Sequence, residues 1–234
     1  MTGKRFHRHL RTLLCAIAMI VPRRLRPRVL GLVPGFDVHP TSSIGFSFVC
    51  PSKTLFLGQG AVIGHLNVCK GLERMELGAH SRIGNLNWIT GYPRRPGDPV
   101  FAAYPARIPE LVLEEHAAIT RSHYVDCTDS VRVGAFGTIG GLHTAILTHS
   151  VTLATGRQAC RPIRIGSYSL VGTNSVLLGG SVLPACSALG AMSMLRDAHA
   201  TPYRLYAGNP AQAVRDLDPS AAWFHRRTGT EAES

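Results

Sequence analysis

The chain has 234 residues, 45% apolar and 17% charged, which is enough for one sizeable domain with its own core. Its six cysteines are scattered without a C-x-x-C pair, a pattern that argues against a disulfide or zinc framework. The net charge of +11 lies mainly at one end, without interleaved aromatic residues or a recognisable module, so a nucleic-acid partner is not expected.

The first predicted unit is residues 1–40, a basic and partly apolar segment of helical character. Eight Lys or Arg residues precede its first acid, Asp37. Its apolar run, residues 13–21, is far shorter than the roughly 20 residues that span a bilayer. Three interpretations stay open for residues 1–30: a helix packed on the domain, a helix lying on an anionic cytoplasmic leaflet, and a secretion signal. The expected location is cytoplasmic, with peripheral contact to the inner face of the plasma membrane under the second interpretation.

From residue 165 the sequence repeats every six residues, as IGSYSL VGTNSV LLGGSV LPACSA LGAMSM L. An aliphatic residue opens each block and Ser holds the fifth place, which is the hexapeptide signature of a parallel β-helix. The aliphatic side chain fills a narrow prism and Ser fits the tight corner. Three blocks would form one coil of about 18 residues, stacked about 4.8 Å from the next. The opening residues are Ile165, Val171, Leu177, Leu183, Leu189 and Leu195, and the serines are Ser169, Ser175, Ser181, Ser187 and Ser193.

The same phase appears earlier in the chain, so residues 41–195 are predicted to form one all-β solenoid. Two stretches interrupt it, 91–109 and 154–162, and the prolines and glycines of the first forbid regular coils. The first stretch also carries arginines and aromatic rings, among them Tyr92, that suit a saccharide acceptor. The earlier pairs at six-residue spacing are Leu57 and Ile63, Leu77 and Ile83, Leu113 and Ile119, and Val133 and Ile139.

Several segments resemble a known family. The segments GNLNWITG, AAITRSHYVDCT, TIGGLHTAILTHSV, RQACRPIRIGSYSLVGTNSVLLGGSVLP and LYAGNPA together are similar to hexapeptide-repeat acyltransferases, in the branch that O-acetylates sugars and polysaccharides. The resemblance covers about residues 41–216, and residues 196–234 are predicted to form an AGNPA turn and a tail. It implies a left-handed β-helix, a homotrimer, and acetyl-CoA bound in the groove between neighbouring prisms.

Three histidines, His123, His143 and His149, fall at the fifth, small-residue place when blocks are counted from Ile119 and Ile139. An imidazole with a pKa near 6.5 can take a proton from a sugar hydroxyl as the hydroxyl attacks a thioester. The resemblance implies that His149, in the sequence TH, is the base, with His143 as the alternative. The second ring nitrogen then needs an acceptor, for which a backbone carbonyl or Asp126 is the candidate.

The remaining predicted contacts divide between the acceptor and the donor. His123, Asp126, Arg121 and Tyr92 are predicted to bind the acceptor. Backbone N–H groups of the corners 140–141 and 179–180 are candidate donors to an oxyanion. The resemblance places coenzyme A near the last coils, with the following predicted contacts: Gly190, Ala191, Arg196, Asn209 and Arg215.

Other chemistries stay open. Cys127 or Cys160 would be the nucleophile of a covalent mechanism. A γ-class carbonic anhydrase is a β-helix trimer that binds zinc through three histidines, and this chain has enough of them, although their spacing differs. A non-catalytic assembly module would leave His149 on an inert surface. No metal is expected for the transferase, and the identity of the acceptor stays open.

Overall fold

A helical cap precedes the strands. The computed structural model describes the backbone of residues 2–229 and the side chains from residue 9 onward. Helix α1 (Thr2–Ile20) is followed by a 3-10 turn (Arg23–Leu25) and helix α2 (Arg26–Gly31). Cys15, Ala18 and Leu30 are buried against the first coil, so the segment packs on the domain. Within residues 2–229, none of the helices combines the length and apolar character that a bilayer crossing needs.

Short strands then wind into a three-sided parallel solenoid, in which each coil contributes one strand to each of three sheets. Sheet A contains β1 (Phe36–Val38), β4 (Thr54–Leu57), β7 (Arg74–Leu77), β10 (Glu110–Leu113), β13 (Val131–Val133), β18 (Ile163–Ile165) and β21 (Val182–Leu183).

The second face is longer by one hairpin at its end. Sheet B contains β2 (Ser43–Ile44), β5 (Val62–Ile63), β8 (Arg82–Ile83), β11 (Ala118–Ile119), β14 (Thr138–Ile139), β19 (Leu170–Val171), β22 (Ala188–Leu189), β24 (Arg204–Gly208) and β25 (Ala211–Asp216). Strands β24 and β25 are antiparallel and close the last coil.

The third face carries the strands that end next to the candidate site. Sheet C contains β3 (Phe48–Cys50), β6 (Val68–Lys70), β9 (Trp88–Thr90), β12 (Tyr124–Asp126), β15 (Ala145–Leu147), β20 (Val176–Leu178) and β23 (Met194–Leu195). We call the three corners the A–B, B–C and C–A edges, after the sheets that the chain leaves and enters there.

The core is a stack of aliphatic side chains along the prism axis. Leu57, Leu77 and Leu113 lie directly above one another in sheet A, as their spacing predicts. The serines at the fifth place are all buried at corners, where Ser169 Oγ donates to the Pro184 carbonyl at 2.6 Å. Each buried aliphatic residue contributes about 1.5–3 kcal/mol. The predicted all-β solenoid is therefore confirmed.

Both predicted interruptions leave the prism at the C–A edge. Met75 pairs with Leu111, 36 residues later, and Val131 pairs with Ile163, 32 residues later. The first excursion is the loop 91–109. The second is an antiparallel hairpin of β16 (His149–Thr152) and β17 (Arg157–Cys160), which begins at 149 rather than at the predicted 154. A single undistorted corner, residues 127–130, lies between them.

The structure shifts two of the predicted positions. Strand β1 pairs with β4, so the solenoid begins at Phe36 rather than at 41. After Ile139 the next inward residue is Ile146, seven positions later, because this coil carries one extra corner residue. Thr144 therefore occupies the buried small-residue place, and His143 is the exposed corner residue before it, with φ 59°.

The C-terminal tail lies along the A–B edge. After a 3-10 turn (Ala222–His225), Trp223 Nε1 donates to the Tyr168 carbonyl at 2.9 Å. The Arg226 guanidinium lies 3.8 Å from the Trp223 ring centre and donates to the Phe136 carbonyl. The rings of Phe136 and Tyr168 stack at 4.7 Å, so the tail covers a column of aromatic rings on this edge.

Candidate active site

Asp126 is the buried anion of the C–A edge. It ends strand β12, and its side chain is almost fully enclosed at 3% exposure. A buried carboxylate is costly unless hydrogen bonds replace its water. Thr128 donates to Oδ1 through its hydroxyl at 2.6 Å and its N–H at 3.2 Å. Thr148 donates its N–H to Oδ2 at 3.0 Å, and its hydroxyl lies 2.6 Å from the same atom.

His149 completes this network from the next coil. Its N–H donates to Asp126 Oδ2 at 3.1 Å and its Nδ1 lies 2.8 Å from the same oxygen. Because a carboxylate can only accept, Nδ1 carries the proton and Nε2 presents its lone pair outward. The His149 side chain is 39% exposed, and the acceptor predicted for its second nitrogen is Asp126.

The two groups shift each other's ionisation. Burial alone would raise the pKa of Asp126, but hydrogen bonds from His149, Thr128 and Thr148 outweigh it and hold that pKa below its ordinary value. The hydrogen bond to Asp126 raises the pKa of His149 above its ordinary value, against a smaller effect of desolvation. The pair is therefore an imidazole made more basic and oriented by a buried anion.

The loop 91–109 supplies an aromatic wall beside His149. Phe101 is buried, and its ring centre lies 6.2 Å from that of His149 in an edge-to-face arrangement at 87°. Tyr92 contacts Phe101 at 5.5 Å. The buried Arg107 lies 4.4 Å from the Phe101 ring centre and donates to the Thr128 carbonyl at 3.0 Å. Arg107 thus anchors the loop to the corner that carries Asp126.

The hairpin forms the other side of the site. His149 is the first residue of β16 and pairs with Cys160 of β17, while the Arg161 N–H donates to the Thr148 carbonyl at 2.9 Å. The hairpin tip projects into solvent, where Leu153 is 94% exposed. The loop and the hairpin therefore flank His149 from successive coils.

His123 lies at the fifth place of its block, as predicted, but inside the prism. Only 2% of it is exposed. Its Nδ1 accepts the Thr144 N–H at 3.1 Å, and its Nε2 lies 2.9 Å from the Thr120 hydroxyl. Burial and the neighbouring His143 lower the pKa of His123 to about 4. A neutral ring with both nitrogens occupied and no exposed face gives no support to the predicted contact with the acceptor.

His123 is the last member of a polar ladder on the B–C edge. The Asn67 N–H donates to Ser47 Oγ, Asn87 N–H to Asn67 Oδ1, and His123 N–H to Asn87 Oδ1, each at 2.9 Å. In this ladder His123 Nδ1 takes the place of an asparagine Oδ1, because both accept the N–H of the coil above.

His143 and Arg121 lie on the opposite edge of the prism from His149. Both are exposed on the B–C edge, before strands β15 and β12 respectively. His143 and His149 are six residues apart along an extended segment, which at about 3.3 Å per residue separates them by roughly 15–20 Å. The structure therefore brings Asp126 into contact with His149 and places Tyr92 against Phe101 beside it, but leaves Arg121 and His143 on the other edge.

The predicted coenzyme contacts divide into three groups. Gly190 contacts Ala207 of the closing hairpin, so Gly190 and Ala191 lie beside the turn that contains Asn209. Arg196 follows β23 on the C–A edge, three coils above Asp126, or about 14 Å at the usual strand spacing. Arg215 pairs with Leu205 at the far end of the hairpin.

The two glycine corners predicted as oxyanion donors lie on different edges of the prism. Gly140 and Gly141 lie on the B–C edge, and the Gly140 N–H already donates to the Val171 carbonyl. Gly179 lies directly above Thr148, since a Cβ on Gly179 would approach the Thr148 carbonyl oxygen to 2.6 Å. The Gly180 N–H donates to the Pro162 carbonyl at 3.0 Å. Gly179 is thus the candidate oxyanion donor closest to His149.

The alternative chemistries find little support in the described residues. Cys127 is fully buried, and desolvation raises its pKa well above the ordinary value. Desolvation also raises the pKa of Cys160 to about 11, so neither thiol is a ready thiolate. Among residues 2–229, no three His, Cys, Asp or Glu side chains converge as metal ligands would.

Sequence reasoning missed the threonines that enclose Asp126 and three arginines at the base of the hairpin. The sequence signal for the threonines was the pair DCT and LTH, which end corresponding strands one coil apart. Two of the arginines are the first and last residues of RPIR, and the third pairs with the last one from the preceding coil. These missed residues are Thr128, Thr148, Arg132, Arg161 and Arg164.

Comparisons with solved structures return sugar-modifying and acyl-transferring proteins. A mutant of AntD, an N-acyltransferase from Bacillus cereus in complex with dTDP and coenzyme A, is 12% identical over 76% of this chain and 82% of that one, with a TM-score of 0.49. The hexapeptide-repeat acetyltransferase VCA0836 from Vibrio cholerae is 19% identical over 93% and 94%, with a TM-score of 0.46. A maltose O-acetyltransferase from Clostridium difficile is 12% identical over 93% and 90%, at 0.43.

No family model and no curated protein matches the chain. At these identities and TM-scores the similarities assign no activity to it.

Proposed function

We propose that the protein is an O-acetyltransferase that moves an acetyl group from acetyl-CoA to a hydroxyl of a sugar or polysaccharide precursor. The observation that carries the proposal is the Asp126–His149 pair, with Nδ1 held at 2.8 Å and Nε2 directed away from the carboxylate. The pair lies at an edge enclosed by two excursions of the chain, where a substrate can meet the base. The resemblance of the THS segment to the acetyltransferase branch agrees with this role.

In the proposed reaction, His149 Nε2 takes the proton of the acceptor hydroxyl while the hydroxyl oxygen attacks the thioester carbonyl. Asp126 stabilises the imidazolium that forms, and the Gly179 N–H is the candidate donor to the oxyanion. When the C–S bond breaks, the imidazolium returns the proton to the leaving thiolate. The products are an acetyl ester and coenzyme A with a free thiol, and no covalent acyl-enzyme is needed.

The donor would lie along the C–A edge toward the last coil. Arg196 projects from this edge about 14 Å above Asp126 and is more than half exposed, so it can meet a phosphate of coenzyme A. Its one ion pair among the described residues is a long 3.5 Å contact with the exposed Asp197. Gly190, Ala191 and Asn209 lie on the neighbouring B–C edge and would form a second surface for the donor. Arg215 gains no support as a contact of the coenzyme.

We also propose self-association as a homotrimer through sheet C. This face and the B–C edge expose a continuous set of apolar side chains, which soluble monomers rarely leave open. A double variant, Leu66→Lys with Leu86→Lys, should dissociate the assembly in sedimentation without loss of secondary structure. An unchanged sedimentation coefficient would contradict this interface. The exposed residues are Phe46, Leu66, Leu86, Trp88 and Tyr124.

A further proposed partner is an anionic membrane surface. Helix α1 buries Cys15 and Ala18 but exposes Leu10, Leu13 and Ile20, which recur on one stripe of the helix. Exposed arginines follow the stripe, so apolar insertion and charge attraction would act together.

Because helix α1 also covers the first coil, point variants test the membrane contact better than deletion of the helix. Arg24→Gln with Arg28→Gln should reduce binding to phosphatidylglycerol vesicles, while phosphatidylcholine vesicles serve as the control, and equal binding would rule out the contact.

The test of the acetyltransferase is to incubate the protein with acetyl-CoA and a panel of saccharides. Release of free thiol and the mass of the acetylated product are measured together, against a reaction without acceptor. We expect acceptor-dependent thiol release with a matching gain of one acetyl group. Thiol release that never exceeds the background without acceptor would contradict the proposal.

A further inference from the structure

A cleft of about 850 Å³ opens beside the candidate site, between the loop 91–109 and the base of the hairpin. One wall consists of residues 103–108 of the loop and the other of residues 160–164. Cys160, which lines the cleft, pairs directly with His149, so the cleft is continuous with the edge that carries the base. A volume of this size suits one or two sugar rings.

The charges that line this cleft are not balanced. Its two acids, Glu110 and Asp129, are buried and occupied within the protein: Glu110 binds Arg132 at 2.8 Å and Arg74 at 3.2 Å, and Asp129 accepts two backbone N–H groups. Arg161 and Arg164 also line the cleft and are exposed. Neither has an acidic partner within ion-pair distance in the part of the chain that the structure describes.

The opposite wall is apolar and aromatic. Tyr104, Pro105 and Ile108 line it, and Ile108 is 46% exposed. An aromatic ring can stack on the apolar face of a sugar, while guanidinium groups pair with carboxylate or phosphate oxygens in a planar, bidentate geometry. The loop arginines do not serve this purpose, because Arg94 is held by Glu73 at 2.9 Å and Arg107 is buried under Phe101. Arg95 lies outside the cleft, 5.4 Å from the Tyr92 ring centre.

We infer that this cleft binds the anionic group of an acidic saccharide, and that Arg161 and Arg164 select an acceptor that carries a carboxylate or a phosphate near the hydroxyl to be acetylated. The inference rests on the proposed function for the identity of the reaction, but the binding itself does not require the donor or the base. Arg132 supports the site by holding Glu110, which would otherwise repel the anion.

Binding without acetyl-CoA tests this inference directly. The probes are trigalacturonate and its methyl ester, in which each carboxylate is replaced by a neutral ester, and glucose 6-phosphate with glucose as the second pair. We expect the wild-type protein to bind at least one charged probe about tenfold or more tightly than its neutral partner, with affinity falling as salt rises. The pair that shows the difference distinguishes a carboxylate from a phosphate.

Three variants locate the binding. Arg161→Gln and Arg164→Gln should each weaken the charged probe about tenfold or more and leave the neutral probe unchanged. Arg157→Gln is the matched control, because Arg157 is exposed on the same hairpin but lies outside the cleft. Equal affinity for charged and neutral probes, no binding of either, or an equal loss in Arg157→Gln would overturn the inference.

The outcome is separable from that of the proposed reaction. His149→Ala should bind the charged probe as the wild type does, since the cleft holds the anion and not the reacting hydroxyl. Charge-selective binding without any acetyl transfer would retain the cleft and reject the transferase. Acetyl transfer with no preference for charged acceptors would retain the transferase and reject the role of the cleft.

Discussion

His123 and His149 belong to successive coils and lie at opposite ends of neighbouring strands of sheet C. On the continuous B–C edge, His123 is enclosed, with both nitrogens occupied and its pKa lowered to about 4. On the interrupted C–A edge, His149 has one nitrogen fixed by Asp126, its pKa raised, and its ring 39% exposed. The comparison teaches that the repeat position alone does not make a site. The candidate site lies where the chain leaves the prism beside a buried anion, Asp126.

The largest expected contrast is between the two exposed histidines at the ends of β15. His149→Ala should lower kcat for acetyl transfer by about 10²–10⁴-fold, because it removes the proposed base. His143→Ala should change kcat less than about twofold, since it lies on the other edge. Steady-state kinetics with saturating acetyl-CoA measures both. Near-normal turnover by His149→Ala would break the comparison.

Replacement of the buried anion should have the next largest effect. Asp126→Asn should reduce kcat/KM about 10–100-fold, because the amide no longer enforces the Nδ1–H tautomer or stabilises the imidazolium. The proposed base must be neutral to accept a proton, so activity should fall as pH drops below the pKa of His149, which Asp126 raises. The acid limb of the pH profile should therefore move to lower pH in the variant. An unmoved acid limb would mean that His149 is not the group that titrates.

His123 should affect stability rather than turnover. His123→Ala leaves the buried Thr144 N–H without its acceptor, which costs about 1–3 kcal/mol of the free energy of unfolding. His123→Asn continues the ladder of Asn67 and Asn87 and should recover most of that loss. Urea denaturation of the two variants measures the difference, and kcat should stay near the wild-type value in both. A large loss of kcat in a fully folded His123→Asn variant would restore the acceptor role.

His123 also gives the stability a dependence on acid. The unfolded chain protonates His123 near pH 6.5, whereas the folded chain does so only near pH 4. The unfolded state therefore binds more protons in that window, and His123 stabilises the fold fully above it and progressively less as pH falls through it. The His123→Asn variant should lose less stability than the wild type between about pH 6.5 and 4. If the melting temperatures of the two proteins fell equally across this window, His123 would titrate normally in the folded chain.

The repeat made the solenoid predictable, because an aliphatic residue every six positions has few other structural solutions. The site was predictable only in part. His149 and Asp126 were named, but their contact depends on register: Asp126 pairs with Leu147, two residues before the histidine. His143 was displaced by one extra corner residue, which no composition reveals. Arg161 and Arg164 were missed because the feature that they share, the absence of an acidic partner among the described residues, depends on three-dimensional neighbours.

The Asn67 and Asn87 ladder has a consequence for how such a protein can change length. Residues 48–50, 68–70 and 88–90 stack in one register at a constant interval of 20, and each coil contacts only the coils above and below. Deleting one such unit, for example residues 68–87, would join Asn67 to Trp88 in the frame that the ladder already uses. The lower part of the prism is thus an interchangeable spacer, which evolution or an engineer can lengthen or shorten. Between Trp88 and Ile163 no such constant interval exists, because the loop and the hairpin lengthen these coils unequally.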